Sequence, residues 1–182
     1  MPRLPDLDPA ALDAEQKRIY DEIVSGPRGK VEGPLRVWLT SAGLADRAQA
    51  LGAFCRYGTS LPPRLSELAI LVTGAYWQAG FEWHVHAPIA LSAGLDPSAV
   101  EKIRAGAEPE LAQDDEKAVY AFSRELLTTR RVSDQTYAFA EKVLGRRALV
   151  DLVGVLGYYG LISMTINAFE VPVPDGAKEP FA

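Results

Sequence analysis

The chain has 182 residues, 48% of them hydrophobic and 24% charged, with 24 acidic against 19 basic residues and a formal net charge of −5. That length and apolar content suit one domain over residues 1–182 with a substantial core. No basic block offers a landing site to a phosphate backbone or an anionic lipid surface, so neither nucleic acid nor membrane is an expected partner.

Apolar residues recur at helical spacing almost throughout. Asp8-Pro9 reads as a cap and first helical position, and Leu12, Ile19, Ile23 and Val24 then share one face until Gly26. Residues 27–34 have loop composition with Arg28 and Lys30 among prolines and glycines, and loops of this kind reach over pockets. A short apolar piece, 35–39, and a helix from Ala45 to Tyr57 follow. The prolines at 62 and 63 precede a long helix over 65–78, Gly80 breaks the pattern, and a further helix runs from Glu82 to its stop at Ala93-Gly94. Asp96-Pro97 starts the next. Residues 114–130, 133–144 and 146–169 complete the set. Strand signals are nearly absent, and the prolines at 172 and 174 make the tail an extended arm, lying on this subunit or a neighbour. No apolar run is read as approaching the roughly 20 residues that span a bilayer. The amino terminus lacks a signal-peptide core, and the lone Cys55 has no internal partner. The expectation is a cytoplasmic protein.

The only two histidines lie in Glu82-Trp83-His84-Val85-His86, and histidine exchanges protons most readily near neutral pH. Residues two apart on a helix are rotated by roughly 200°, so His84 and His86 cannot enter one pocket together. Glu82 and Trp83 share the His86 face. His84 is left as a surface or interface imidazole, kept with Trp83 among the residues expected at the substrate. Helical zinc ligands sit four apart, and neither a third histidine nor a second cysteine exists to complete a shell, so no metal is expected. Pro88 should kink the helix beside the histidines. Near the carboxyl end Tyr159, Ser163 and Asn167 form a polar stripe at four-residue spacing, lining either a ligand pocket or a subunit interface.

The stretch from Glu67 to Leu95, ELAILVTGAYWQAGFEWHVHAPIALSAGL, sets a glutamate on an apolar helix, a short turn, a histidine on the next helix and a closing Ala-Gly-Leu. It resembles the core motif of the carboxymuconolactone decarboxylase family, within the AhpD-like superfamily. The resemblance implies an all-α, AhpD-like bundle of about eight helices, assembled as a homo-oligomer (dimer, trimer or hexamer). It implies a pocket between the motif helices and a small-molecule substrate. It matches His86 to the family's proton-handling histidine and Glu67 to its companion.

The peroxidase branch carries Cys-x-x-Cys where this chain has Ala79 and Glu82, and neither residue can replace a redox sulfur. What remains is cofactor-independent proton chemistry: a lyase or isomerase in which His86, Glu67 and Glu82 act on a carboxylated or lactone-type molecule of aromatic-compound degradation. The alternative is a non-catalytic, oligomeric ligand-binding or stress-related protein. Arg36, Arg56 and Arg64 are the candidates for holding a substrate carboxylate. One geometric difficulty stands. Glu67 precedes Gly80 by 13 residues and His86 follows it by six. In a straight antiparallel hairpin their heights differ by roughly 10 Å at 1.5 Å per residue. Contact then requires steeply crossed helices, a break near Gly74, or a second subunit.

Overall fold

The computed structural model describes residues 2–5, 7–174 and 176–182. Among these, nine α-helices and one 3-10 turn account for all regular structure, with no strand. They are α1 (Ala14–Ser25), α2 (Pro34–Trp38), α3 (Ala42–Tyr57), α4 (Pro63–Trp77), α5 (Gly80–Ser92), α6 (Pro97–Arg104), α7 (Asp114–Thr129), α8 (Asp134–Leu144) and α9 (Arg146–Phe169).

The amino-terminal expectation needs correction. Asp8 and Pro9 open only a 3-10 turn, Pro9–Ala11. The first α-helix starts later because Asp13 and Gln16 form a reciprocal capping box, each side chain satisfying the other's backbone N–H at 2.9 and 3.0 Å. The stop of α5 is as expected. Gly94 takes φ +101, and the amides of Gly94 and Leu95 return to the carbonyls of Leu91 and Ala90 at 3.1 Å, the paired bonds of a Schellman ending. The helix runs through Pro88 without interruption.

The bundle is organised on α4, which packs against α5, α6, α7 and α9. A helix enclosed on this many sides must be apolar all round, and every residue from Leu65 to Gly74 is buried. Contrary to the sequence expectation, α9 is long and apolar enough to cross a membrane by length and composition alone. Its residues serve another end: most of the helix is buried against α4, α3, α2, α5 and α8. The tail lies on its own subunit. Phe181 meets the Trp83 ring edge-on at 5.5 Å, the Pro180 carbonyl accepts from Arg104 at 2.5 Å, and the Glu179 carboxylate fills the space that a Cβ on Gly80 would need. A side chain at this position would displace the Glu179 carboxylate.

Candidate active site

Only Gln78 and Ala79 separate α4 from α5; Gln78 makes the reversal in the left-handed region at φ 51. Glu82 falls in the first turn of α5, where the helix dipole favours a carboxylate, and His86 follows one turn later on the same face. The imidazole is fully enclosed, 2% exposed, and both its nitrogens are engaged. Nδ1 lies 2.7 Å from Glu67 Oε2, and Nε2 lies 2.8 Å from Glu82 Oε1. α4 is continuous past Gly74 and the contact forms within one chain, so neither a break in the helix nor a second subunit is needed to bring the pair together.

Burial opposes a charge on this ring. The charge of Glu82, the hydrogen bonds to Glu67 and Glu82, and the charge of Glu67 outweigh it and push His86 up to about 9. At neutral pH His86 is an imidazolium donating one N–H to each carboxylate.

A cavity of about 250 Å³ opens beside this triad, lined by Glu82, His86, Tyr159, Arg28 and Arg56 among others. Glu67 is not in its wall, so Glu82 is the carboxylate that faces the space. The loop before α2 covers it, contributing Pro27, Arg28, Lys30 and Glu32, with Pro34 from the start of α2. Tyr159 sets its ring edge-on to His86 at 5.2 Å, and Tyr158 packs on Tyr159 at 5.3 Å. A second cavity, about 310 Å³, lies between the two ends of the chain and holds no part of the triad.

Of the expected substrate contacts, Tyr159 alone lines the triad cavity. Trp83 is buried beneath Phe181. His84 is exposed, since its position on the helix turns it away from α4. Ser163 is fully buried with its hydroxyl unpartnered among the described residues and lies outside the cavity wall. Asn167 is exposed and donates to the Trp77 carbonyl at 2.6 Å, tying down the last turn of α4. The polar stripe diverges because residues along one face of a 24-residue helix reach different depths of the bundle.

Of the three arginines read as carboxylate holders, Arg56 reaches the triad cavity. Arg64 is consumed by Asp115, Gln113 and Glu116 at the start of α7. Arg36 lines the cavity between the chain ends. Arg28 was missed as a site residue, although its place in a pocket-covering loop was the available signal.

Among the described residues no group of three or more His, Cys, Asp or Glu side chains is arranged to hold a metal ion. Cys55 is buried in α3, and burial, followed by the charge of Asp151, pushes its thiol up to about 11 despite Arg28. Without a thiolate or a second sulfur, a dithiol cycle has no starting point in this chain.

No protein-family model matches the chain. No curated protein matches it either. Solved structures do. The alkylhydroperoxidase AhpD core of an uncharacterized peroxidase-related protein from Ralstonia eutropha superposes with TM-score 0.75 at 15% identity, covering 99% of this chain and 94% of that one. An uncharacterized peroxidase-related protein from Silicibacter sp. gives TM-score 0.74 at 14% identity, covering 94% and 91%. The debrominase Bmp8 in its apo form gives 0.73 at 10% identity, covering 93% and 91%. The chain therefore has the all-helical fold of AhpD-like, peroxidase-related proteins. Within that fold it carries a carboxylate–imidazole–carboxylate triad.

Proposed function

We propose that this protein is a cofactor-independent, carboxymuconolactone decarboxylase-like lyase. Glu67, His86 and Glu82 relay a proton to a small carboxylated or lactone-type substrate. The observation that carries the reading is the buried His86 held between two carboxylates, one of which opens onto a ligand-sized cavity.

Loss of carbon dioxide from a carboxylated unsaturated lactone breaks a C–C bond and leaves the electron pair delocalised into the carbonyl system. A proton must then reach carbon. The Nε2 proton of His86 moves to the Glu82 carboxyl, which delivers it to the substrate; the imidazole left behind keeps its Nδ1–H on Glu67 and regains a proton from solvent. Glu67 fixes the tautomer and orientation of the ring, and the charged triad supplies the proton without a cofactor. The fold carries catalysis elsewhere, since one neighbour is a debrominase, though fold alone does not assign chemistry. Self-association accords with the exposed apolar side chains on α3 and α9, among them Leu51, Phe54, Val150 and Val153.

The test is turnover of a panel of lactone acids by the parent, His86→Ala and Glu82→Gln proteins. Removal of a general acid lowers kcat by about 10²–10⁴-fold, and a drop of that size in both variants, with unchanged circular dichroism, is the expected result. Equal rates in parent and variants would discard the relay. Silence of the parent across the panel would favour a non-catalytic binding protein.

A further inference from the structure

Two guanidinium groups in the cavity wall have no carboxylate partner among the described residues. Arg28 donates through Nη2 to the Tyr158 hydroxyl at 3.1 Å, while its Nε is buried with no partner. Tyr158 is buried and its hydroxyl is pushed up to about 12, so it stays neutral and leaves the Arg28 charge uncompensated. Arg56 has its guanidinium 5.4 Å from the centre of the Tyr57 ring, a face that attracts a cation without neutralising it. Other arginines are spent: Arg18 on Glu22 and Asp46, Arg64 on Asp115 and Glu116, Arg146 on Glu141.

Formal charge around the space is polarised. At the rim Lys30 and Glu32 cancel in a 2.8 Å pair. Glu67, Glu82 and the imidazolium together carry one negative charge, Arg28 and Arg56 carry two positive charges, and one positive charge is left over. The Tyr159 hydroxyl feels both ends, after burial: Glu82 raises its pKa and Arg56 lowers it. A carboxylate entering this space is repelled by Glu82 and drawn to the arginines, so its orientation is determined.

Resting on the proton-transfer reading for where the reacting carbon lies, we propose that Arg28 and Arg56 clamp a carboxylate that the substrate keeps throughout the reaction, aiming its other end at Glu82. Arginine suits this task because its planar fork pairs with both oxygens of a carboxylate. The volume of about 250 Å³ restricts the ligand to a small acid. Arg28 and Arg56 are therefore specificity determinants, acting on binding of the retained carboxylate.

The experiment is isothermal titration calorimetry of the full chain with γ-butyrolactone-γ-acetic acid, whose side-chain carboxylate has no route to decarboxylation into the ring carbonyl, its carboxamide, and inorganic phosphate. The parent should bind the carboxylate at least about tenfold more tightly than the carboxamide, and Arg28→Gln or Arg56→Gln should reduce that preference to about threefold or less. Equal affinity for acid and amide, or no heat from the acid, would overturn the proposal. So would an undiminished preference in folded arginine variants, or tighter binding of phosphate than of the acid. The acid–amide comparison needs only the parent protein, so it stands even if a variant misfolds. Failure of the relay would instead appear as unchanged turnover in His86→Ala, which calorimetry does not read.

Discussion

Glu67 Oε2 lies 2.7 Å from His86 Nδ1 inside one chain, although the two residues sit at unequal distances from the turn that joins their helices. The contact locks α4 to α5 at the centre of the bundle. Deleting Glu67 leaves the imidazolium paired with Glu82 but strands its buried Nδ1–H donor, which costs about 1–3 kcal/mol. Glu67→Ala should lose stability in that range by urea unfolding. Glu67→Gln, which keeps an acceptor, should lose less and move the His86 titration below about 9, as read by NMR of the ring protons.

The triad also sets a pH dependence. A histidine in the unfolded chain titrates near 6.5, whereas His86 in the fold titrates at about 9. The folded state holds its proton more tightly, so this stabilisation is complete below pH 6.5 and is lost as pH rises through about 9. The full effect is about 3 kcal/mol, from roughly 1.4 kcal/mol per unit. Unfolding midpoints measured across that window should fall in the parent, and the fall should be markedly smaller in His86→Gln.

Gly52 on α3 lies against the Arg28–Tyr158 pair, and a Cβ there would collide with the Tyr158 hydroxyl and Arg28 Nη2. Alanine gains about 1 kcal/mol of helix propensity over glycine, but overpacking against a buried tyrosine costs about 1–3 kcal/mol. Gly52→Ala should therefore be destabilised by about 1 kcal/mol in urea unfolding. Gly157→Ala on α9, where a Cβ meets nothing within 4 Å, should gain up to about 1 kcal/mol in the same assay.

The buried thiol of Cys55, held up to about 11, should resist a disulfide reagent in the native protein. It should react at the rate of a free thiol once the chain is unfolded. Rapid native labelling would contradict both its enclosure and its protonation.

The sequence by itself determined most of the helices and the shared face of Glu82 and His86, because both are local. Caps such as Asp96 and Ser133, stops such as Gly94, and the four-residue spacing of Glu82 and His86 act within one or two turns. It also showed that Cys55 is the single cysteine of the chain, which leaves no dithiol pair. The start of α1 eluded it because two capping aspartates compete there, and Asp13 has the reciprocal partner that Asp8 lacks. What only the tertiary structure decided depends on how helices pack and how deep each face reaches. Sequence distance placed Glu67 out of range of His86; the packing of α4 against α5 brings them to 2.7 Å. Helical spacing grouped Tyr159, Ser163 and Asn167, yet the bundle gave one to the cavity, one to the core and one to the end of α4. The same packing turned a loop arginine, Arg28, toward the triad, because orientation between distant segments is set by burial and close contact rather than by spacing along the chain.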